Sequence, residues 1–273
     1  MTVVEELEQR LSNQQQFGFP VDAAGPILAR AAGVFGHPVT AEQLIAAGNI
    51  AANLHRLAVE SHLIERTGNV VQSGPFAGMR CLPAYGGSVY APRLLGTYEE
   101  ELTPIWDAAP PLVVDVGAAE GYYAVGLARR GHRVIAYEAD PALAAICGRN
   151  AELNGVAVEM RGAAGPDFLT ETPALVIMDI EGAETAVLSA MPADRRARAD
   201  FVIETHTVAR RPTAPDVARL LEPTHEVTVI WQQPRDPSGH PLISRLTQYQ
   251  QFLAMWEGRG IDPWLWCRRR AAG

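Results

Sequence analysis

Between Leu112 and Trp231 the chain alternates between two kinds of segment. "LVVDV" (112–116) is followed by "GYYAVGLARRG" (121–131), "RVIAYE" (133–138) by "PALAAICGRNAELNG" (141–155). Short apolar runs rich in Val and Ile are what strands buried on both faces look like, and the intervening segments carry helical periodicity. Pro141 at a first turn and Gly155 past an end punctuate the second of those helices. "VAVEMRG", "ALVIMD" (174–179), "DFVIETH" (200–206) and "EVTVIW" (226–231) continue the strands, with "AETAVLSAM" and "APDVARLLE" as helices between them. "LISRLTQYQQFLAMWEGRG" reads as a further helix and "PWLWCRR" (263–269) as a last strand. Such alternation predicts the α/β class: a doubly wound, mostly parallel sheet of about seven strands.

Residues 1–110 lack this rhythm and read as an extension, leaving 111–273 as the ligand-binding unit. "VVEELEQRL" and the stretch from Thr40 to about Arg66 have helical spacing; Thr40 fits an N-cap with Gln43 three residues on, and Gly68 a stop. "NVVQSGPFAGMRCLPAYGGSVYAP" (69–92) suggests one or two hairpins, and "GTYEEELTPIWDAAPP" (96–111) a helix. The extension is expected to act as a lid, a homodimer contact, or both. A net charge of −8 argues against a nucleic-acid partner, which needs a basic footprint. No window reaches the roughly eighteen apolar residues of a membrane span. Three scattered cysteines and an acidic N-terminus without a signal pattern point to a cytoplasmic protein with reduced thiols.

In open α/β sheets ligands sit beyond the carboxyl ends of the strands. The first such loop is "DVGAAEGYY", with Asp115, Gly117, Ala118 and Gly121. Its glycines are spaced G-x-x-x-G rather than in the dinucleotide pattern G-x-G-x-x-G, and Glu120 places a carboxylate where a pyrophosphate would lie. A donor without phosphate and with a cationic centre suits it better, and S-adenosylmethionine is such a molecule. Glu138, at the end of the second strand, can accept hydrogen bonds from ribose hydroxyls, as the acid of an NAD site does, so it does not separate the two cofactors.

Taken with "AYEADP", "RNAELNGV" and "VIMDIEGAETAVL", the loop resembles class I S-adenosylmethionine-dependent methyltransferases, and within them the FkbM-like branch. The resemblance covers about residues 112–270. It departs from the branch at Ala119, where the family loop carries Asn. It implies that Asp115, Gly117, Ala118 and Gly121 hold the methionine part, Glu138 the ribose, and Ala163 and Ala164 the flank of the adenine. A sugar or natural-product hydroxyl is the acceptor it suggests.

"MDIEGAE" (178–184) leaves the fourth strand with three carboxylates. Asp179, also at the cofactor edge, together with Glu204 and His206 of the next strand end, can converge on one spot, since positions two apart on a strand share a face. Two chemistries fit: His206 as general base oriented by Asp179 or Glu204, or Asp179, Glu204 and His206 holding Mg²⁺ or Mn²⁺. A structural His206 is the third reading. Glu184 reads best as an acid in a helix first turn, and Glu181 is open between a cap and a polar contact in the site. The expectation is a methyltransferase acting on a small-molecule hydroxyl. A nicotinamide-dependent oxidoreductase and a scaffold without turnover are the rivals.

Overall fold

The computed structural model describes residues 2–14, 25–82, 89–172, 174–260 and 262–270. Helices α1 (Val3–Gln14), α2 (Gly25–Phe35), α3 (Ala41–Thr67), α4 (Tyr90–Leu95) and α5 (Thr103–Asp107) precede the sheet region. Then follow β1 (Leu112–Val116), α6 (Tyr122–Arg129), β2 (Arg133–Tyr137), α7 (Pro141–Leu153), β3 (Glu159–Arg161), β4 (Ala174–Met178), α8 (Glu184–Ala190) and α9 (Ala193–Arg196). The chain continues through β5 (Ala199–Glu204), a small ribbon β6 (Thr207–Val208) and β7 (Arg211–Pro212), α10 (Ala214–Leu221), β8 (His225–Ile230), α11 (Gln248–Met255) and β9 (Trp264–Arg269).

The expected seven-stranded, mostly parallel sheet is present, in the order β3-β2-β1-β4-β5-β9-β8. β1 to β5 pair in parallel, and β9 runs antiparallel to both β5 and β8. β1, β4 and β5 therefore all end at one edge, and β8 ends there too. The central strands are apolar on both faces for the reason read from the sequence. In β4, Leu175 and Ile177 join one buried cluster while Val176 and Met178 join the other.

The extension is woven into both clusters. Leu7 and Leu11 of α1 pack with Val217 and Leu221 of α10, and Phe76, Leu94 and Trp106 pack with Val125 and Leu175 on the opposite face. α3 carries the expected capping box at Thr40 and Gln43, and ends at Gly68 in the left-handed region. Two expectations fail here. Where hairpins were expected over 69–92, residues 69–82 hold a single isolated antiparallel bridge, Val70 to Arg80, α4 begins at Tyr90, and 83–88 lie outside the described residues. α4 starts where Glu60 of α3, buried and paired with Arg56, accepts the Tyr90 N–H at 3.0 Å. This tertiary anchor has no local signal. The helix expected across 242–260 is confined to Gln248–Met255, because its capping box sits at Thr247 and Gln250. All three cysteines are buried and unpaired. Among the described residues no helix is long and apolar enough to cross a membrane.

Candidate active site

The turn from β1 to α6 is shaped by close backbone approach. Gly117 has φ +88°, and a Cβ there would lie 1.7 Å from the Asp179 carbonyl oxygen. Only glycine lets the β1 and β4 exits lie this close. At Gly121, φ +89°, a Cβ would meet Cys147 Sγ at 2.5 Å. Between them Ala119 takes φ +46° with a side chain, in the region that disfavours L-residues other than Asn and Asp. Its N–H donates to Glu138 Oε2 at 2.8 Å, while Glu138 Oε1 accepts from the Asp140 N–H at 2.7 Å. Each Glu138 oxygen thus keeps a lone pair for a further donor.

Beyond this loop lies a cleft with about 500 Å³ of open space. Ala119 and Glu120 line it together with Asp179, Glu181, Glu204 and His206, and residues 257–260 with Asp262 complete its lining. Six carboxylates line it (Glu120, Asp179, Glu181, Glu204, Glu257, Asp262) against two guanidiniums, Arg93 and Arg259.

His206 stands at the centre. Its Nδ1 is 3.0 Å from Glu184 Oε1, and its Nε2 lies 3.5 Å from Asp179 Oδ1 and 3.7 Å from Glu181 Oε2. Glu184 is fully buried, and its Oε1 also accepts from the Gly182 N–H at 3.0 Å and the Ile180 N–H at 3.3 Å. Burial works against its charge, but the His206 hydrogen bond and the Gly182 N–H outweigh that and hold it below the usual carboxylate range. Burial likewise pulls His206 down, and the hydrogen bond and charge of Glu184, with the charges of Asp179 and Glu181, lift it above the ordinary imidazole value. The residue that orients His206 is therefore Glu184, not Asp179 or Glu204. Glu184 does open α8, as expected of a first-turn acid, but its side chain turns inward.

Glu204 is corrected in turn. It ends β5 in the same cleft, yet its carboxyl faces Arg259 Nη2 at 2.8 Å and the carboxyl of Asp179, not His206. Burial lifts Glu204 first, the charges of Glu99 and Asp179 lift it further, and Arg259 opposes them. Asp179 is also raised by burial, and its contact with the Glu204 carboxyl eases that rise while raising Glu204. Among the described residues, the set whose ligating atoms lie within 4.8 Å of one another is Asp179, Glu181 and His206, in place of the expected Asp179, Glu204 and His206. Glu181 reaches it from a left-handed backbone, φ +54°, with its side chain 90% exposed.

Among the residues expected to hold a cofactor, Gly117 follows β1, Glu138 follows β2, and Gly121 caps the start of α6. Asp115 is buried beneath the loop, where burial and then the charge of Asp179 push it up to about 7. Ala118 is buried. Ala163 is exposed and Ala164 packs on the core, and neither lines the cleft. Glu120 does not stand as the free loop carboxylate expected: Arg93 of α4 forms an ion pair with it in a buried setting, stacked on Tyr98 and Tyr122. That carboxylate is neutralised, so the loop alone does not repel a pyrophosphate. The acid excess belongs to the cleft as a whole.

Cleft residues without a strand-end signal in the sequence come from outside the sheet. Tyr98, Arg93 and Arg259 line the cleft. Arg259 Nη1 pairs with buried Glu99 at 2.6 Å, and Glu99 also accepts from the Tyr123 hydroxyl. "GTYEEEL" was the signal for part of this, since its acids sit in an otherwise apolar context. Tyr122 and Tyr123 belong to an aromatic cluster with Phe76 and Trp106 and do not line the cleft.

The fit to a cationic donor rests on this chain's own atoms. Asp179 Oδ1 lines the cleft, is buried and has no hydrogen-bond donor. A buried acceptor in that state favours an ammonium, a sulfonium or a hydroxyl placed against it.

No protein-family model matches the chain, and no curated protein matches it. Among solved structures it is similar to an O-methyltransferase from Bacillus cereus in complex with S-adenosylhomocysteine, at 14% identity over 61% of this chain and 77% of that one, TM-score 0.44. It is also similar to a tRNA (uracil-54, C5)-methyltransferase from Pyrococcus abyssi, at 14% identity over 63% of this chain, TM-score 0.42; the chain spans 38% of that enzyme. Both neighbours are methyltransferases in complex with S-adenosylhomocysteine, and likenesses this distant assign the chain no reaction of its own.

Proposed function

We propose that this protein transfers the methyl group of S-adenosylmethionine to a hydroxyl of a small molecule, a sugar or another natural product. The observation that carries the reading is the Glu184–His206 pair, with Nε2 turned into an acid-rich cleft beside the glycine loop. The backbone of Gly117 to Gly121 and the carboxylate of Glu138 would hold the donor's amino-acid and ribose ends, and Asp179 would face its cationic centre. The bound donor supplies an electrophilic methyl carbon on a sulfonium leaving group. Glu184 fixes Nδ1 as the protonated nitrogen, which leaves Nε2 to accept the hydroxyl proton as the acceptor oxygen bonds to the methyl carbon. The rest of the acceleration comes from alignment of acceptor and donor in the cleft.

A second reading has its own support. Asp179, Glu181 and His206 place three ligating atoms within 4.8 Å, a donor set that suits Mn²⁺ better than the all-oxygen shell Mg²⁺ prefers. Turnover with a donor isotopically labelled in its methyl group, followed by mass spectrometry of hydroxylated acceptors, tests the main reading. Loss of the label's transfer in His206→Gln supports it, and loss in EDTA restored by Mn²⁺ selects the metal. Turnover of NAD(H) in its place would establish the oxidoreductase rival. Pairing of two copies through the N-terminal extension is a further proposal. Ile50, Leu54 and Leu57 lie exposed along α3, and sedimentation equilibrium reads the mass directly.

A further inference from the structure

A second pocket, with about 540 Å³ of open space, opens at the carboxyl end of β8. It stands at the same sheet edge as the cleft, and Glu257 lines both spaces. Its floor is Arg235, whose side chain is 4% exposed and is held by Glu257 at 2.6 Å and by both oxygens of Glu101 at 2.5 and 2.8 Å. The guanidinium is saturated by carboxylates, so the pocket offers no spare cation to a phosphate or carboxylate ligand.

The polar rim has a consistent sense. Gln232 Nε2 donates to Glu257 Oε2 at 2.9 Å, and Gln233 Nε2 to the Trp231 carbonyl at 3.0 Å. Gln251 Nε2 donates to the Ile243 and Leu246 carbonyls at 3.2 and 3.1 Å. The carbonyl partners of Gln233 and Gln251 are acceptors only, and Glu257 accepts as the carboxylate paired with Arg235, which fixes the orientation of the amides and leaves their oxygens as acceptors. Phe252 and Trp256 add apolar ring faces, 60% and 37% exposed. Amide oxygens beside exposed aromatic faces, without a free charge, select a neutral ligand that donates hydroxyls and presents one apolar face. A hydroxylated saturated ring such as a hexose has that chemistry.

We propose that this pocket binds a hydroxyl-rich ring of the acceptor, so that the acceptor crosses the Met255–Gly260 segment and places its reacting hydroxyl in the neighbouring cleft. The term acceptor rests on the transferase reading; the binding of the ring does not. The test is saturation-transfer NMR on the full chain without methyl donor, with methyl and phenyl glucosides, galactosides and mannosides as probes. Saturable contact with at least one hexoside is expected, weakened about tenfold in Trp256→Ala and unchanged in His206→Gln. Contact with none of the six, or contact undiminished in Trp256→Ala, overturns the proposal. Trp256 is a surface residue, and Trp256→Phe, which keeps a ring face, should retain binding if the loss in alanine is a loss of stacking. Hexoside binding without any methyl transfer would leave this pocket assigned and sink the transferase reading instead.

Discussion

Replacing Glu184 with glutamine removes one charge from a fully buried side chain and leaves its size unchanged. The amide oxygen still accepts from the Gly182 N–H, but the contact to His206 Nδ1 loses the carboxylate charge and is no longer an ion pair. A hydrogen bond to a charged partner contributes about 1.5–3 kcal/mol, so the variant should be about 2 kcal/mol less stable where both partners are ionised. The pH window follows from the two shifts. Glu184 titrates below its ordinary 4.5 in the folded chain, so its contribution is present above pH 4.5 and fades as pH falls through the folded value. His206 titrates above 6.5, so its contribution is complete below pH 6.5 and fades as pH rises through the folded value. The gap between wild type and Glu184→Gln should be widest between these limits and narrow at higher pH. Urea unfolding at a series of pH values measures it, and the His206 ring resonances in an NMR titration should move to lower pKa in the variant. A pH-independent gap, or a His206 pKa that stays or rises, would refute the assignment of Glu184 as its partner. Under the base mechanism the acidic limb of the rate profile should shift down together with the His206 pKa.

Arg93→Met leaves Glu120 buried without its partner and should cost about 3–5 kcal/mol in urea unfolding, with Glu120→Gln in the same chain recovering most of it. Ala119→Gly relieves a left-handed backbone and should stabilise by up to about 1 kcal/mol, raising Tm by a few degrees; a lower Tm would contradict the strain. Gly117→Ala forces a Cβ into the Asp179 carbonyl and should abolish binding of S-adenosylhomocysteine in calorimetry even where circular dichroism shows a folded chain.

The sheet was legible because its central strands are apolar enough to be buried on two faces, as "ALVIM" and "LVVDV" show, and burial on two faces leaves few alternatives. The site was legible only where it hangs on strand ends. Asp179, Glu204 and His206 were placed in one cleft by the alternation alone. Which carboxylate meets His206 was not, because a sharp turn at Glu181 and Gly182, both at positive φ, swings Glu184 back under the ring. Spacing along the chain carries no trace of that turn's direction. Arg93 and Arg259 were invisible for a related reason: each reaches the cleft through contacts across the fold, Arg93 from a helix started by Glu60 and Arg259 from a loop held by Glu99.

On the proposed function, the cleft takes a cationic nucleoside donor on the glycine loop. Isothermal titration of the wild-type chain with S-adenosylhomocysteine and, separately, with NADH tests it most directly. One saturable site for S-adenosylhomocysteine and no heat with NADH is the expected result. Binding of NADH alone, or of neither, would contradict the account.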